Sequence, residues 1–593
     1  EFYVDNKKCK FNFVDSYSFI ATKLSAFPKM FGFDGVKEIM PYGLWNTKTI
    51  KDKFMLLSDT REYCDRQLIS MNIGKDVTDE EKEEYYKSFV DKAREWDCVI
   101  NDDFNGEHLV DIIKYSKMYC IVDVDILQKG YEKFKGWIDE VCGLDINHYI
   151  TLPSIADAYM KKSDVYEGCF EISGSQLIFI QKCMVGGRTM TSENKMFNFT
   201  GGNGIDLDDL DAVSLYPSAM KRMGGYLKGQ PKVLHNKTYE FLKSIDGYFV
   251  EITITKVGIN KKFPLMSYIT DTGIRLWTND MVGRTIWVDR FALEDLIEFQ
   301  QVEFMVDRGY YYNEGRNYQI GETIEHLFQT RLAMKNNDNA IEQVYKLLMN
   351  SAYGRTLLKP FEDEKVYVSE KNHDKHLVRH YDSVKSVQKL HDNSFEITQQ
   401  KPIIDHYNLA HIGCEVLSMS KRIMNELMCL AEDIGVDIYY QDTDSTHTPV
   451  ADIPRLKEAY FKKYGRELEG NNMGQFNCDF KSKKLKGKVR SVESVFLGKK
   501  CYVDKLQGDE EGVFDYHIRM KGVSGDAIAD KLLEEGIDVV ELYDRLYDGE
   551  LIKFDLCCRG IKACFETMND GTMETRKIFE RNIKFGNKDV EVE

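Results

Sequence analysis

Apolar positions recur every three to four residues through "HYNLAHIGCEVLSMSKRIMNELMCLAEDIG", with Ile412, Val416, Met419 and Ile423 on one stripe. That period predicts a long helix, and Gly435 is its natural stop. The next segment, "VDIYYQDTDSTHTPV", reads as strand, turn, strand. "DVTDEEKEEYYKSFVDKAREW" predicts a helix with Thr78 as N-cap and Glu81 three residues on. "LDDLDAVSLYPSAM" runs from a strand into a helix whose start is marked by Pro217. "NNDNAIEQVYKLLMNSAYGR" predicts a turn and then a helix capped by Asn339, with Glu342 at the third helical position and Ile341, Val344, Tyr345 and Leu348 as its apolar stripe. "KVYVS" and "SFEIT" alternate and predict the strands of a hairpin. The stretch after about Gly522 reads as mostly helical, "DAIADKLLEEG" most clearly. The expected fold class is α/β with mixed helices and strands.

The chain has 593 residues, 43% of them hydrophobic, which is too long for one core and predicts three to five domains. No apolar run reaches membrane-spanning length and no secretory signal is present. The first residue is Glu1 rather than Met, so a processed or truncated chain is expected. Fourteen cysteines lie without a CxxC pair or Cys/His spacing, which argues against structural zinc and for a reducing, intracellular setting. A net charge of −17 argues, by itself, against a nucleic-acid partner. The average hides "KSKKLKGKVR", Lys481 to Arg490, followed by Lys499 and Lys500. That stretch is either a local basic footprint or a solvated lysine face.

Asp442 and Asp444 stand one residue apart at the predicted hairpin tip, where like charges repel. A cation is expected there, with a third carboxylate from elsewhere. Asp211, at the end of the "LDDLDA" strand, supplies a candidate. Oxygen-only ligands suit Mg²⁺, and two such ions can stabilise the attacking and leaving oxygens of an in-line phosphoryl transfer. Lys346, Asn350 and Tyr353 share another face of their helix at i, i+4 and i+7, a set able to hold a triphosphate and stack near a base or sugar. Arg331 and Lys335 add positive charge before the turn.

"DAVSLYP", "KLLMNSAYG" and "YQDTDS", in this order, resemble the three polymerase motifs of family B DNA polymerases, and "KKCY" resembles the family's KxY motif. The resemblance covers about Phe13 to Gly522. It implies a right-hand polymerase with palm, fingers and thumb, preceded by a partial RNase H-like exonuclease domain. It also implies Asp211 and Asp444 as ligands of two Mg²⁺ ions, for which Mn²⁺ could substitute, with the Ala212 carbonyl as a backbone ligand and Asp442 as a supporting acid. Ser214, Leu215 and Tyr216 fall in the nucleotide-binding motif, with Tyr216 under the sugar to exclude a 2′-hydroxyl. Lys335 and Lys346 match phosphate-binding lysines, and Asn350 and Tyr353 shape the base-pair pocket. Lys500 and Tyr502 match primer contacts. "SMSKR" resembles a primer/template segment, which adds Ser418 and Arg422. "MVGGRT" resembles the link between exonuclease and polymerase halves, which adds Gly186 and Gly187 as DNA contacts.

About 135 residues separate Asp211 from Lys346, and roughly 90 separate Gly354 from Asp442. Gaps of that length resemble the insertions of the protein-primed branch, which bind a terminal protein and encircle DNA. The expected units are 1–150, exonuclease-like; 151–220, linker and first palm segment; 221–320, palm with the first insertion; 321–358, fingers; 359–402, the second insertion; 403–505, palm; and 506–593, thumb. "YCIVDVDIL" resembles the third exonuclease motif, with Tyr119 and Asp123 on one helical face, while its partner motifs are missing. The expected activity is template-directed DNA synthesis from template, primer and deoxynucleoside triphosphates, with a terminal protein as priming partner and no membrane. An ordinary or absent primer, and an inert DNA-binding scaffold, are the alternatives.

Overall fold

The computed structural model describes residues 2–4, 7–9, 14–33, 39–46, 49–72, 77–101, 108–201, 204–235, 237–337, 339–357, 363–391, 393–401, 408–482, 484–555, 565–567, 573–575 and 580–585. Its centre is a nine-stranded antiparallel sheet. The order is Phe514–Met520, Cys501–Gln507, Arg490–Gly498, Leu207–Ala212, Ser445–Pro449, Tyr440–Asp442 and Thr189–Thr191. Phe476–Cys478 also pairs with Leu207–Ala212, and Phe197–Phe199 with Arg490–Gly498. Alternation along Leu207–Ala212 sends Leu210 and Ala212 into the main core. Asp209 and Asp211 fall on the opposite side.

The long helix forms over Ala410–Asp433 and Gly435 follows it in a left-handed conformation. The pattern predicted one apolar stripe, yet 20 of its 24 residues are buried. Helices Leu215–Arg222, Arg290–Gln300 and Ile453–Tyr464 all pack against it, so it is a core helix rather than an amphipathic one. Between Arg222 and Gln319 lies a unit with its own core. Its sheet runs Lys232–His235, Glu303–Tyr312, Gly247–Lys256, Thr285–Asp289, and Leu234, Val250, Ile252, Leu293 and Leu296 fill it. Arg316 joins this unit to the core helix through two bonds to Glu415, at 2.8 and 3.0 Å, and the Glu415 side chain is fully buried.

Helices Gln319–Asn336 and Glu342–Ser351 pack on each other. The second begins later than expected. Asn339 does not cap it; its Oδ1 accepts from the Ile341 N–H at 3.1 Å, inside the turn. The predicted stripe holds for Ile341, Val344 and Leu348, which are buried together with Phe31, Phe134 and Ile138 of the first region. That region contains the long helix Ile112–Cys142, a three-stranded antiparallel sheet (Phe54–Leu56, His108–Asp111, Val99–Asn101), and the Thr78 capping box, whose two bonds are 2.8 and 3.2 Å.

"KVYVS" and "SFEIT" do pair, with Val366 opposite Ile397, but not as a simple hairpin. Helix Glu370–Arg379 and strand Val384–His391 intervene, and Ser394–Gln400 is the central strand of three. Among the described residues the C-terminal region is helical over Gly525–Glu535 and Val539–Tyr547; strands Ile552–Asp555 and Glu580–Ile583 then pair. No helix among the described residues is long and apolar enough to cross a membrane.

Glu415→Ala leaves Arg316 buried and unpaired, and should cost about 3–5 kcal/mol in urea unfolding. Loss of less than about 1 kcal/mol would show that the Arg316–Glu415 pair does not hold the 223–318 unit to the core helix.

Candidate active site

Two turns meet at the end of the central sheet. Asp211 pairs across from Ser445, the residue after Asp444. The Ala212 N–H donates to the Asp444 carbonyl at 2.8 Å, and the Val213 N–H to the Gln475 carbonyl at 2.8 Å. The carboxylate-bearing turns are thus tied through backbone, which does not neutralise their charges. In the second turn the Asp444 N–H donates back to the Asp442 carbonyl at 2.7 Å, and Thr443 takes a φ of +60°. A β-branched residue in the left-handed region is strained.

Gly187 makes that turn possible. The Thr443 N–H donates to the Arg188 carbonyl at 2.9 Å, and a Cβ on Gly187 would lie 2.5 Å from Thr443 Cγ2. Arg188 itself is buried, with Nε donating to Gln441 Oε1 at 2.6 Å and Nη1 to the carbonyls of Phe263 and Pro264 at 3.1 and 3.0 Å. The "GGR" segment therefore packs against the aspartate hairpin. For Gly187 this is a structural role. Nothing in the structure gives Gly186 a comparable constraint.

The three aspartates are not equivalent. Lys500 Nζ bonds both oxygens of Asp442 at 2.8 and 3.0 Å, and Thr189 Oγ1 donates to Asp442 Oδ1 at 3.2 Å. Lys500 is held there by its own left-handed backbone and by its N–H to Tyr440 Oη at 3.0 Å. Asp211 and Asp444 have no ion-pair partner among the described residues. Burial, then Asp444, pushes the Asp211 carboxyl up to about 8, with Lys481 opposing. Burial likewise raises Asp444 to about 6, aided by Asp442 and Asp209 and opposed by its own backbone N–H. Two half-buried carboxylates with no cation of the chain's own fit an oxygen-ligated divalent ion such as Mg²⁺ or Mn²⁺.

Above this end of the sheet, Ser214 starts the helix Leu215–Arg222 in a left-handed conformation. Tyr216, on its first turn, stacks on Tyr353 with ring centroids 4.2 Å apart and planes at 23°. Asp444 acts electrostatically on both hydroxyls, so motif residues distant in sequence form one wall of the site. Lys346 and Asn350 are exposed on the other face of Glu342–Ser351 from the buried stripe, and Lys335 is exposed in the last turn of its helix. Arg331 departs from expectation. Its Nε pairs with Glu342 Oε2 at 2.9 Å, both side chains being largely buried, so it braces the two helices rather than presenting a free charge.

Three expected DNA contacts also sit elsewhere. Arg422 Nε bonds Asp295 Oδ1 at 2.6 Å and its Nη2 bonds Glu294 Oε2 at 3.0 Å and the Phe291 carbonyl at 2.8 Å. Ser418 is buried on the same helix. The all-round burial of that helix removes both from an open surface. Tyr502 is 3% exposed, packed among Tyr440, Phe496, His447 and His517. The basic stretch is partly neutralised: Lys481 pairs with Asp479, Lys486 with Glu510 and Arg490 with Asp206. Tyr119 and Asp123 share a face of helix Ile112–Cys142, and Tyr119 is buried with its hydroxyl 3.1 Å from that of Tyr42. The residues missed from sequence are Thr189, Asp209 and Asp479. Cross-strand register reveals the first two, opposite Asp442 and His447, and Asp479 follows strand Phe476–Cys478 with its N–H on the Asp209 carbonyl.

A sheet with strand-end carboxylates, a helical pair bearing exposed cations beside it, and folded insertions between them define the class: a right-hand polymerase of the B type. The chain belongs to the family of DNA polymerases type B, organellar and viral, whose family model matches residues 1–429. It is 24% identical over 552 residues to a probable DNA polymerase of Neurospora intermedia, covering 90% of this chain and 50% of that protein. It is 22% identical over 555 residues to one of Podospora anserina, covering 87% and 40%. The chain thus spans half or less of the length of these curated relatives. Among solved structures, it resembles Phi29 DNA polymerase with primer-template DNA and incoming nucleotide, with a TM-score of 0.55 and 14% identity over 96% of this chain and 80% of that one. The Phi29 complex with primer-template DNA alone gives 0.52 and 15%, covering 88% and 73%.

Gly187→Ala should destabilise the fold by about 1–3 kcal/mol through the clash with Thr443. Adding Thr443→Gly should recover part of that loss, because it removes the clashing atoms and relieves the strained φ. Additive losses in thermal unfolding would refute the contact.

Proposed function

We propose that this chain is a template-directed DNA polymerase that adds deoxynucleotides to a 3′-hydroxyl, with Asp211, Asp444 and the Ala212 carbonyl holding two divalent ions. One observation carries the reading. The chain neutralises Asp442 with Lys500 but leaves Asp211 and Asp444 tied together with no ion-pair partner among the described residues. Two bound ions supply charge stabilisation to the attacking and leaving oxygens. The protein's own part is placement. Lys346 and Lys335 receive the triphosphate, Asn350 lines the base-pair pocket, and the Tyr216–Tyr353 stack forms a wall under the sugar that leaves no room for a 2′-hydroxyl. Lys500 orients Asp442 and keeps it from adding a third unneutralised charge. Phi29 DNA polymerase, whose fold this chain resembles, is known in complex with primer-template DNA and incoming nucleotide, which supports the same partners here.

Asp444→Ala should retain DNA binding and lose primer extension with Mg²⁺ by several orders of magnitude, since it removes a ligand from the charge-stabilising pair. Extension within about tenfold of the parent would reject the assignment.

The protein-primed, strand-displacing mode rests on the two folded insertions and their likeness to that branch. An ordinary primer is the alternative. The three-stranded sheet and helix over 363–400 form a charged, self-contained unit beside the polymerase motifs. Replacing 363–400 by a short Gly/Ser turn should spare single-nucleotide addition and abolish long products and displacement of a blocking strand. Undiminished displacement would remove this segment from that role.

A further inference from the structure

Behind the aspartate hairpin, four strands bring imidazoles and carboxylates together. His447 pairs across from Asp209, and His517 across from Asp504. His447 and Asp504 are fully buried and Asp209 is 4% exposed. His447 Nε2 lies 3.1 Å from Asp504 Oδ2, His517 Nδ1 lies 3.4 Å from the same oxygen, and His447 Nδ1 lies 3.7 Å from Asp209 Oδ1. One donor atom from each of His447, Asp504 and His517 falls within 4.8 Å of the other two.

One hydrogen bond, between His447 Nε2 and Asp504 Oδ2, lies within the set and leaves several of its polar atoms unsatisfied. Among the described residues His517 Nδ1, His447 Nδ1, Asp209 Oδ1 and both oxygens of Asp208 are buried without a hydrogen-bond partner. Ligands at about 2.0–2.1 Å from a tetrahedral ion stand about 3.3 Å apart, close to the spacing of the two nitrogens from Asp504 Oδ2. Asp504 is already oriented, because Ser494 Oγ donates to its Oδ1 at 2.7 Å and leaves Oδ2 facing the imidazoles. Phe480, Phe496 and Tyr502 present rings to His447 at 5.7, 5.1 and 5.3 Å and screen it from water. His517 is 21% exposed and opens the only evident path for entry among these residues.

We propose that His447, Asp504 and His517 form a structural binding site for one borderline transition-metal ion, Zn²⁺ by donor type, with Asp209 facing the other ring nitrogen of His447 as an outer partner. Nitrogen donors set it apart from the all-oxygen set of Asp211 and Asp444, which suits a hard ion. The ion would join strand Ser445–Pro449, which continues from the aspartate turn, to strands Cys501–Gln507 and Phe514–Met520 beyond it. The cysteine count argued against structural zinc because it looks for short ligand spacing. These ligands are 57 and 13 residues apart in the chain and meet only through sheet register.

The test uses the full chain, stripped with chelator and titrated with Zn²⁺ by calorimetry and with Co²⁺ by visible absorption. The Asp211→Ala/Asp444→Ala double variant should still bind one equivalent of Co²⁺ with tetrahedral absorption. His517→Ala should weaken that binding by at least about tenfold. Zn²⁺ should raise the melting temperature of the parent and of the double variant but not that of His517→Ala, a comparison that holds even if the last variant melts lower. If Co²⁺ absorption disappears in the double variant, or is unchanged in His517→Ala, the proposal fails and the cluster is an imidazolium held between carboxylates.

Discussion

The structure is organised around two half-buried carboxylates, Asp211 and Asp444, held together through backbone. Asp211 and Asp444 repel each other, and burial makes each harder to ionise. A side-chain cation between them would remove the difficulty and, under the proposed function, would occupy the place of the metal ions. The chain instead joins the two turns through the Ala212 N–H and the Asp444 carbonyl, groups that carry no net charge. It places its available lysine, Lys500, on Asp442. The strained φ of Thr443 and the bare Cα of Gly187 follow from this choice, because the turn can reach Ala212 only by packing tightly on the "GGR" backbone.

Such a site needs stiff support, and the buried interior supplies it. Arg188 spans three parts of the fold, bonding Gln441 of the hairpin, the 263–264 carbonyls and Asn425 of the core helix. Asn425 in turn donates to Asp295, which Arg422 also holds. A buried polar network of this kind rigidifies only when most members are satisfied. That explains why Arg422 and Ser418 face inward. Ser418 lies in the buried part of that helix, and the Arg422 guanidinium is engaged by Asp295 and Glu294, so both support the network behind the hairpin.

Local features were therefore legible and tertiary ones were not. The Thr78 capping box involves four consecutive residues and formed as read. The strand–turn–strand of "YQDTDS" and the pairing of "KVYVS" with "SFEIT" were legible because alternation marks a strand wherever it lies. Strand order was not legible, since period-2 patterning carries no information about which neighbour intervenes. Asn339 shows the same limit at small scale, because cap and turn use the same side-chain oxygen one residue apart. The inward setting of Tyr502 and the pairing of Arg331 were not legible, because a motif fixes residue type and spacing. Whether a ring or guanidinium turns outward depends on aromatic and acidic neighbours, here Phe496 and Glu342, brought by packing.

The helix Glu342–Ser351 shows how far that packing reaches into function. One face carries Lys346 and Asn350, and the other buries Ile341, Val344 and Leu348 against Phe31, Phe134 and Ile138. Arg331 and Glu342 lock it to its partner helix. The cations beside the site are thus positioned by the first 150 residues, through an apolar contact that cannot slip by less than a residue without unpacking. The long helix Ile112–Cys142 supplies part of that contact through Ile126, Phe134 and Ile138. The first region therefore has a structural task here, because without its core the apolar face of helix Glu342–Ser351 would lie open to water; under the proposed function, that task extends to nucleotide binding.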